Sequence, residues 1–245
     1  MNEGNEHTIN SEESKVIPSN PWLRMVVKGV IAFLETILLR LRFEGLENIP
    51  ASGGLIIATN HMSRVDTGIL LLNPVRKDEA ALVADKYKKH AIIRFIVKTQ
   101  PHIWIDRTRA DFSAIQAATR YLMEGGALGI APEGTRSKSG TLLEGKSGAV
   151  LLAVRAGVPV IAVGIAGTEN FRRNLWRFKR TPVTVRFGKP FLLPPLDPQD
   201  RKGSLQRATD EIMCQIASLL PEKYHGFYAG RPRIQELIEQ NKETV

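Results

Sequence analysis

Cysteine is nearly absent from this chain: Cys214 is the only one in 245 residues. A lone thiol excludes an intrachain disulfide and a cysteine-rich zinc site, and it fits a reducing compartment. Histidine is scarce as well. His7, His61, His90, His102 and His225 are scattered, with no H-x3-H or H-E-x-x-H among them, so metal catalysis finds no ligand pattern. The G-x-S-x-G turn of a serine hydrolase is missing. So are internal repeats and any linker long enough to split the chain. A secretory signal wants positive charge followed by an apolar run, but Met1 to Ser14 is polar and carries Glu3, Glu6, Glu12 and Glu13. Residues 1–20 therefore read as a disordered leader. Acid is in deficit overall. Lys and Arg total 34 against 25 Asp and Glu, giving a net charge of +9 and a pI of about 9.8. Such a balance suits an anionic partner, whether nucleic acid, lipid headgroups or a phosphorylated substrate, and charge alone does not choose.

What is present is an ordinary globular composition, 43% hydrophobic and 24% charged. Residues 22–42 form the most apolar long stretch, yet Arg24, Lys28 and Glu35 interrupt it as a spanning helix. On a helical wheel those three and Arg42 fall within about 40° of one another. A narrow charged stripe on an apolar helix suits a helix lying in a membrane interface. The competing reading is a helix in the protein's own core with its stripe in water.

Beyond it, residues 42–50 read as a short strand running into a turn, and apolar runs at 55–59, 80–84, 103–105, 127–131, 158–166 and 183–187 read as strands. Periodic segments at 87–98, 110–124, 147–156 and 205–220 read as helices, the first of them basic with Lys88, Lys89, Arg94 and Lys98. The run at 158–166 is apolar nearly throughout, as in a strand covered on both faces. From Arg231 the chain is polar. Strands alternating with helices predict an α/β layer fold around a mostly parallel sheet.

In open α/β sheets ligands bind beyond the carboxyl ends of the strands. His61 follows the strand at 55–59, with Asp66 five residues on. Arg107 follows a second strand, Glu133 and Arg136 a third, Thr168 and Glu169 a fourth. An aspartate bonded to one imidazole nitrogen leaves the other free to take a proton. Taken alone, H-x4-D is short and common, and a core histidine satisfied by a local carboxylate explains it more readily. Arg107 alone reads as a surface residue. The loop Pro132-Glu133-Gly134-Thr135-Arg136-Ser137 is more informative, because glycine permits close backbone approach and arginine offers a planar fork to phosphate oxygens.

One motif is a decoy. Gly140 to Ser147, GTLLEGKS, fits the P-loop pattern letter for letter. A P-loop needs a strand directly before it, and here a polar loop intervenes, while Leu142, Leu143 and Glu144 put bulk and negative charge where phosphate would sit. Lys146 and Ser147 fit better at a helix N-terminus facing an anionic group.

Four stretches together resemble the glycerolipid acyltransferases. Asn60-His61-Met62-Ser63-Arg64-Val65-Asp66 is similar to their N-H-x4-D motif. Trp104-Ile105-Asp106-Arg107 is similar to the second, whose arginine contacts phosphate. Glu133-Gly134-Thr135-Arg136-Ser137 matches the third, and Val158-Pro159-Val160-Ile161-Ala162-Val163 resembles the fourth. Order and spacing agree from about residue 42 to 195, most nearly with the bacterial 1-acylglycerol-3-phosphate acyltransferases. Trp104 stands where phenylalanine is commoner, and Ala162 where a second proline is frequent.

The resemblance implies a glycerol-3-phosphate acyltransferase-like α/β fold. Its parts would be a leader over 1–20, an amphipathic membrane-interface helix over 21–42, an acyltransferase domain over 43–230 and a polar tail over 231–245. It implies His61 as general base and Asp66 as its partner. Arg107, Gly134, Thr135 and Arg136 would hold the acceptor's phosphate, and Glu133 would bond a glycerol oxygen. Asn60 or a backbone N–H would serve the oxyanion, and Lys146 would support the site. Acyl-CoA or acyl-carrier protein would be co-substrate, with no metal, cofactor or nucleic acid. Lysophosphatidic acid would be the acceptor, at the cytoplasmic face of the cell membrane, with the enzyme peripheral or monotopic. The alternatives are a same-fold acyltransferase with glycerol-3-phosphate or a lysophospholipid as acceptor, and a non-catalytic protein that binds anionic lipid.

Overall fold

The computed structural model describes residues 20–106 and 111–242. Arg107 and all of the expected leader except Asn20 lie outside them. Seven strands form one sheet: β1 Leu39–Glu44, β2 Leu55–Thr59, β3 Glu79–Ala84, β4 His102–Ile105, β5 Ala127–Ile130, β6 Val160–Ala166 and β7 Thr181–Phe187. Their order is β1-β7-β6-β2-β5-β3-β4. From β6 to β4 all neighbours are parallel, β7 runs against β6, and β1 runs with β7. The sheet is thus mixed and mostly parallel, as the alternation of strands and helices predicts.

Every residue of β2 is buried, because helices cover both of its faces. Side chains alternate across a strand. Ile56 and Ala58 therefore join the core made with α4 Phe112–Met123, α5 Gly148–Ala156, α7 Arg201–Ser218 and α8 Pro232–Lys242. Leu55 and Ile57 join the opposite core, where Ile69 and Leu70 of α2 Val65–Leu71 and Leu38 of α1 Pro21–Leu38 pack. Two short helices complete the set, α3 Ala91–Lys98 and α6 Phe171–Trp176. At the edge opposite the carboxyl ends, buried Arg76 ties three loops. It pairs with Asp78 at 2.7 Å and donates to the carbonyls of Pro50, Gly53 and Gly125.

Three elements differ from the sequence reading. The helix expected over 22–42 stops at Leu38, and Leu39–Glu44 becomes β1, in register with β7. The stretch LRLRFE alternates with period two, which the longer helical run before it conceals. The basic segment at 87–98 is not one helix. A short 3-10 turn, Asp85–Lys89, precedes α3, with extended His90 between them. The polar tail from Arg231 holds α8, whose Ile234 and Leu237 are buried; two such side chains are enough to seat a helix, at about 2 kcal/mol each.

α1 is oriented polar side inward. Asn20 caps it, accepting from the Trp22 N–H at 3.0 Å, and Pro21 opens its first turn. Arg24 donates to Gln100 Oε1 at 3.2 Å and to the Lys77 carbonyl. Lys28 is half-buried, and that burial pulls its pKa down, with Arg24 adding to the effect. Glu35 is buried against Gly68 of α2, where a Cβ would lie 2.7 Å from Glu35 Oε1. Meanwhile Trp22, Met25, Val30, Phe33, Leu34 and Ile37 are exposed. This overturns the reading of α1 as a core helix with its stripe in water.

Burial pushes the Glu35 pKa up to about 7 from an ordinary 4.5. The folded chain therefore holds a proton that the unfolded chain has lost between those values. Stability from this group is greatest below the lower value and falls as pH rises through the upper one, by about 3 kcal/mol at most. Replacing Glu35 with Gln should flatten that part of the slope. Thermal melts followed by circular dichroism should show wild type losing more stability than Glu35→Gln between about pH 5 and about pH 8; parallel losses would mean that Glu35 ionises freely in the fold.

Candidate active site

β2 ends at Thr59, between β6 and β5, and the chain turns through residues 60–64 into α2. Asn60 is fully buried. Its side-chain amide donates to the Ile165 carbonyl and accepts from the Ile165 N–H, both at 2.8 Å. That pair binds the end of β2 to β6 and directs the Asn60 side chain into the sheet. The oxyanion role expected of it has no support in this placement.

His61 Nδ1 lies 3.1 Å from Asp66 Oδ2. The same oxygen accepts the N–H groups of Met62 and Ser63, each at 2.7 Å. Asp66 is 1% exposed and sits in the first turn of α2, where the helix dipole favours negative charge. A carboxylate so placed holds the Nδ1–H tautomer, which leaves Nε2 as the acceptor. The His61 side chain is 23% exposed, and no described residue bonds Nε2.

The loop after β5 is locked to this histidine through its backbone. Glu133 Oε1 accepts the His61 N–H at 2.9 Å, and Oε2 accepts the Leu143 N–H at 2.9 Å. Ser137 N–H then donates to the His61 carbonyl at 2.8 Å. Glu133 is buried. That burial pushes its pKa up, while the two backbone N–H groups and then His61 pull it back. The sequence reading gives Glu133 a glycerol oxygen, but both its oxygens are spent on backbone, so it acts as a brace between loops.

Gly134 has φ +68°, and a Cβ there would lie 3.0 Å from Lys146 Cδ. Glycine at this point lets the lysine stem pass against the loop. Thr135 is exposed, and Arg136 is half-buried. Among the described residues nothing pairs with the Arg136 guanidinium. Glu169, which follows β6, is committed elsewhere: it accepts from the Tyr224 hydroxyl at 2.8 Å and the Gly167 N–H at 3.0 Å.

The P-loop look-alike is held down by the core. Leu142 is buried, Leu142 N–H donates to the Tyr224 carbonyl, and Gly145 N–H donates to the Tyr228 hydroxyl at 2.9 Å. α5 then starts at Gly148. A cavity of about 1040 Å³ lies between α4 and α5 beneath Pro195 and Pro198. Its walls include Leu82, Ile105, Ile115, Ile130, Leu151 and Leu196, and it reaches Gly134 and Lys146. His61 does not line it, so the cavity meets the site through the loop after β5. Among the described residues no group of three or more His, Cys, Asp or Glu is placed to hold a metal ion.

A family model described as Acyltransferase matches residues 40–166, more than half of the chain, including His61, Asp66, Glu133 and Arg136. The chain belongs to the acyltransferase family.

Within this family it is 26% identical over 180 residues to a 1-acyl-sn-glycerol-3-phosphate acyltransferase of Limnanthes douglasii, covering 71% of this chain and 60% of that protein. A protein of the same name from Borreliella burgdorferi is 26% identical over 129 residues, covering 52% of this chain and 51% of that one. One from Escherichia coli is 35% identical over 92 residues, covering 38% of this chain and 35% of that one. The chain thus spans about half to three-fifths of the length of the first two relatives. The crystal structure of the 1-acyl-sn-glycerophosphate acyltransferase PlsC from Thermotoga maritima shares the fold, with a TM-score of 0.57 at 24% identity, covering 77% of this chain and 76% of that one.

The brace can be tested directly. Glu133→Ala leaves the half-buried N–H groups of His61 and Leu143 without their acceptor and should lower stability by about 1–3 kcal/mol. Urea denaturation measures it, and a loss below about 0.5 kcal/mol would show that the loops hold without the carboxylate.

Proposed function

We propose that the chain transfers a fatty acyl group from a thioester, acyl-CoA or acyl-carrier protein, to the free sn-2 hydroxyl of 1-acylglycerol-3-phosphate, giving phosphatidic acid. The observation that carries this reading is His61. One ring nitrogen is held on a buried aspartate, the other has no partner among the described residues, and its backbone is bonded on both sides to the loop bearing Gly134 and Arg136. The relatives' names supply the acceptor.

In this mechanism His61 Nε2 takes the proton of the acceptor hydroxyl as its oxygen attacks the thioester carbonyl. Asp66 stabilises the imidazolium that forms. When the tetrahedral intermediate collapses, the carbon–sulfur bond breaks and the imidazolium returns its proton to the leaving thiolate. The products are the new ester and a free thiol. Arg136 holds the acceptor phosphate, with Thr135 and the Gly134 backbone beside it, Lys146 in support, and Arg107 as a second guanidinium. Fixing the phosphate places the hydroxyl at the base, which supplies orientation. A backbone N–H near the turn serves the oxyanion. The apolar cavity beyond Gly134 suits an acyl chain. None of these steps calls on a metal or cofactor.

No helix of the described residues is long and apolar enough to cross a membrane. With its charged stripe spent on the domain, α1 offers its apolar face outward, and we place that face in the interfacial layer at the cytoplasmic side of the cell membrane.

His61→Ala should lower kcat by about 10²–10⁴-fold with lysophosphatidic acid and acyl-CoA. Turnover equal to wild type would remove His61 from the mechanism. Arg136→Ala should lower kcat/KM, and a rise in KM alone would mean that the arginine binds ground and transition states equally. Mass spectrometry of products from mixed lysophosphatidic acid, glycerol-3-phosphate and lysophosphatidylcholine should find phosphatidic acid dominant.

A further inference from the structure

The connection from β6 to β7 carries the most basic run in the described chain, and the acyl-transfer reading leaves it without a role. Residues 171–180 read FRRNLWRFKR: five cations, no acid and four large apolar side chains in ten positions. α6 turns over Asn174, where the N–H groups of Arg177 and Lys179 both donate to the Asn174 carbonyl at 3.0 Å. This turn presents its side chains to solvent. Trp176 is 77% exposed, and Phe178 is 100% exposed. Phe178 has φ +52°, the only positive φ outside glycine among the described residues. An aromatic residue rarely adopts that conformation. A bulky ring held outward on uncommon backbone, among arginines with no carboxylate partner among the described residues, is poorly explained by packing within the domain.

The position is as informative as the composition. β6 runs parallel to β2, so the connection leaves the sheet at the same edge as His61. It is also continuous with α1. Arg180 Nε and a second guanidinium nitrogen reach the Leu39 carbonyl at 3.1 and 2.7 Å, and Leu39 directly follows α1. The exposed Phe33, Leu34 and Ile37 occupy the end of α1 nearest that junction.

We propose that residues 171–180 are a second lipid-docking element, with Trp176 and Phe178 entering the interfacial layer of an anionic bilayer and Arg172, Arg173, Arg177 and Lys179 meeting its phosphates. Tryptophan and phenylalanine beside arginine match the layered polarity of that surface, apolar below and anionic above. The inference rests on the reading of α1 as an interfacial helix. It adds that the molecule is seated at two places, so that the edge bearing His61 faces the bilayer.

The test uses the full chain and vesicles of phosphatidylcholine with and without phosphatidylglycerol. Trp22→Phe with Trp104→Phe leaves Trp176 as the sole tryptophan, and its emission should shift to the blue on anionic vesicles. Trp176→Ser with Phe178→Ser should weaken co-sedimentation about tenfold. Arg172→Ser and Arg177→Ser should each weaken it about fivefold, on anionic vesicles only. Circular dichroism should show all of these variants folded, since the altered side chains are exposed apart from half-buried Trp104, where phenylalanine keeps an aromatic ring. An unmoved Trp176 emission together with wild-type binding of the Trp176/Phe178 variant overturns the proposal. A companion variant, Phe33→Ser with Ile37→Ser, separates the two readings. Loss of binding there, with none at Trp176/Phe178, leaves α1 as the anchor and sinks the second element, and the opposite pattern sinks the α1 reading alone. If the Trp176/Phe178 variant binds vesicles normally but loses turnover only with an acyl-carrier protein thioester, the surface is a protein dock and the lipid proposal fails.

Discussion

One carboxylate holds two loops that the sheet by itself would leave independent. Glu133 bonds the main chain of His61 on one side and of Leu143 on the other, and its companion bond from Ser137 to the His61 carbonyl closes the bracket. The cost is a buried acid whose pKa is pushed up, offset in part by the N–H groups it accepts. The return is that the histidine and the arginine-bearing loop move as one body. Catalysis by orientation tolerates little slack, so under the proposed mechanism this brace would matter as much as the groups it positions. Asn60 does the same for the strand end, using one amide to satisfy both main-chain groups of Ile165.

Much of the frame was legible beforehand because it is written in periodicity. The apolar runs at 55–59, 127–131 and 158–166 are strands, and the rule that ligands gather at strand carboxyl ends correctly brought His61 and the 132–137 loop to one edge. The His61–Asp66 contact followed from spacing and chemistry. The errors have physical causes. The apolar density of α1 ran without a break into LRLRFE, so helix and strand merged. α8 is hidden because only two of its side chains, Ile234 and Leu237, are buried, among a largely polar run. The structural duties of Glu133 and Asn60 were invisible because their partners are backbone atoms, which sequence does not label. Arg76 escaped notice for the same reason, its acceptors being three loop carbonyls and a neighbouring aspartate. The turn at 171–180 carries a readable signal, five cations among aromatics, but it falls between two strands and matches no motif.

The fold shows where part of the charge sits, which composition does not. A net charge of +9 says nothing about where it acts. In the fold, the stripe of α1 is consumed internally by Gln100, the Lys77 carbonyl and the pocket around Gly68. The cations that stay in water include Arg172, Arg173, Arg177 and Lys179 near the carboxyl edge.

α1 passes into β1 with no residue between them: the helix ends at Leu38 and the strand starts at Leu39. A helix joined through a flexible segment would let the domain wander over a lipid surface like a boat on a mooring line. Here the joint is a strand already hydrogen-bonded into the sheet, so the helix behaves as a keel. Once α1 is embedded, the distance from bilayer to His61 is a property of the fold. On the proposed reading, acceptor hydroxyls at one depth would come within reach of His61, and those lying deeper or shallower would not. On that reading the helix-to-strand joint would act as a depth gauge as well as an attachment.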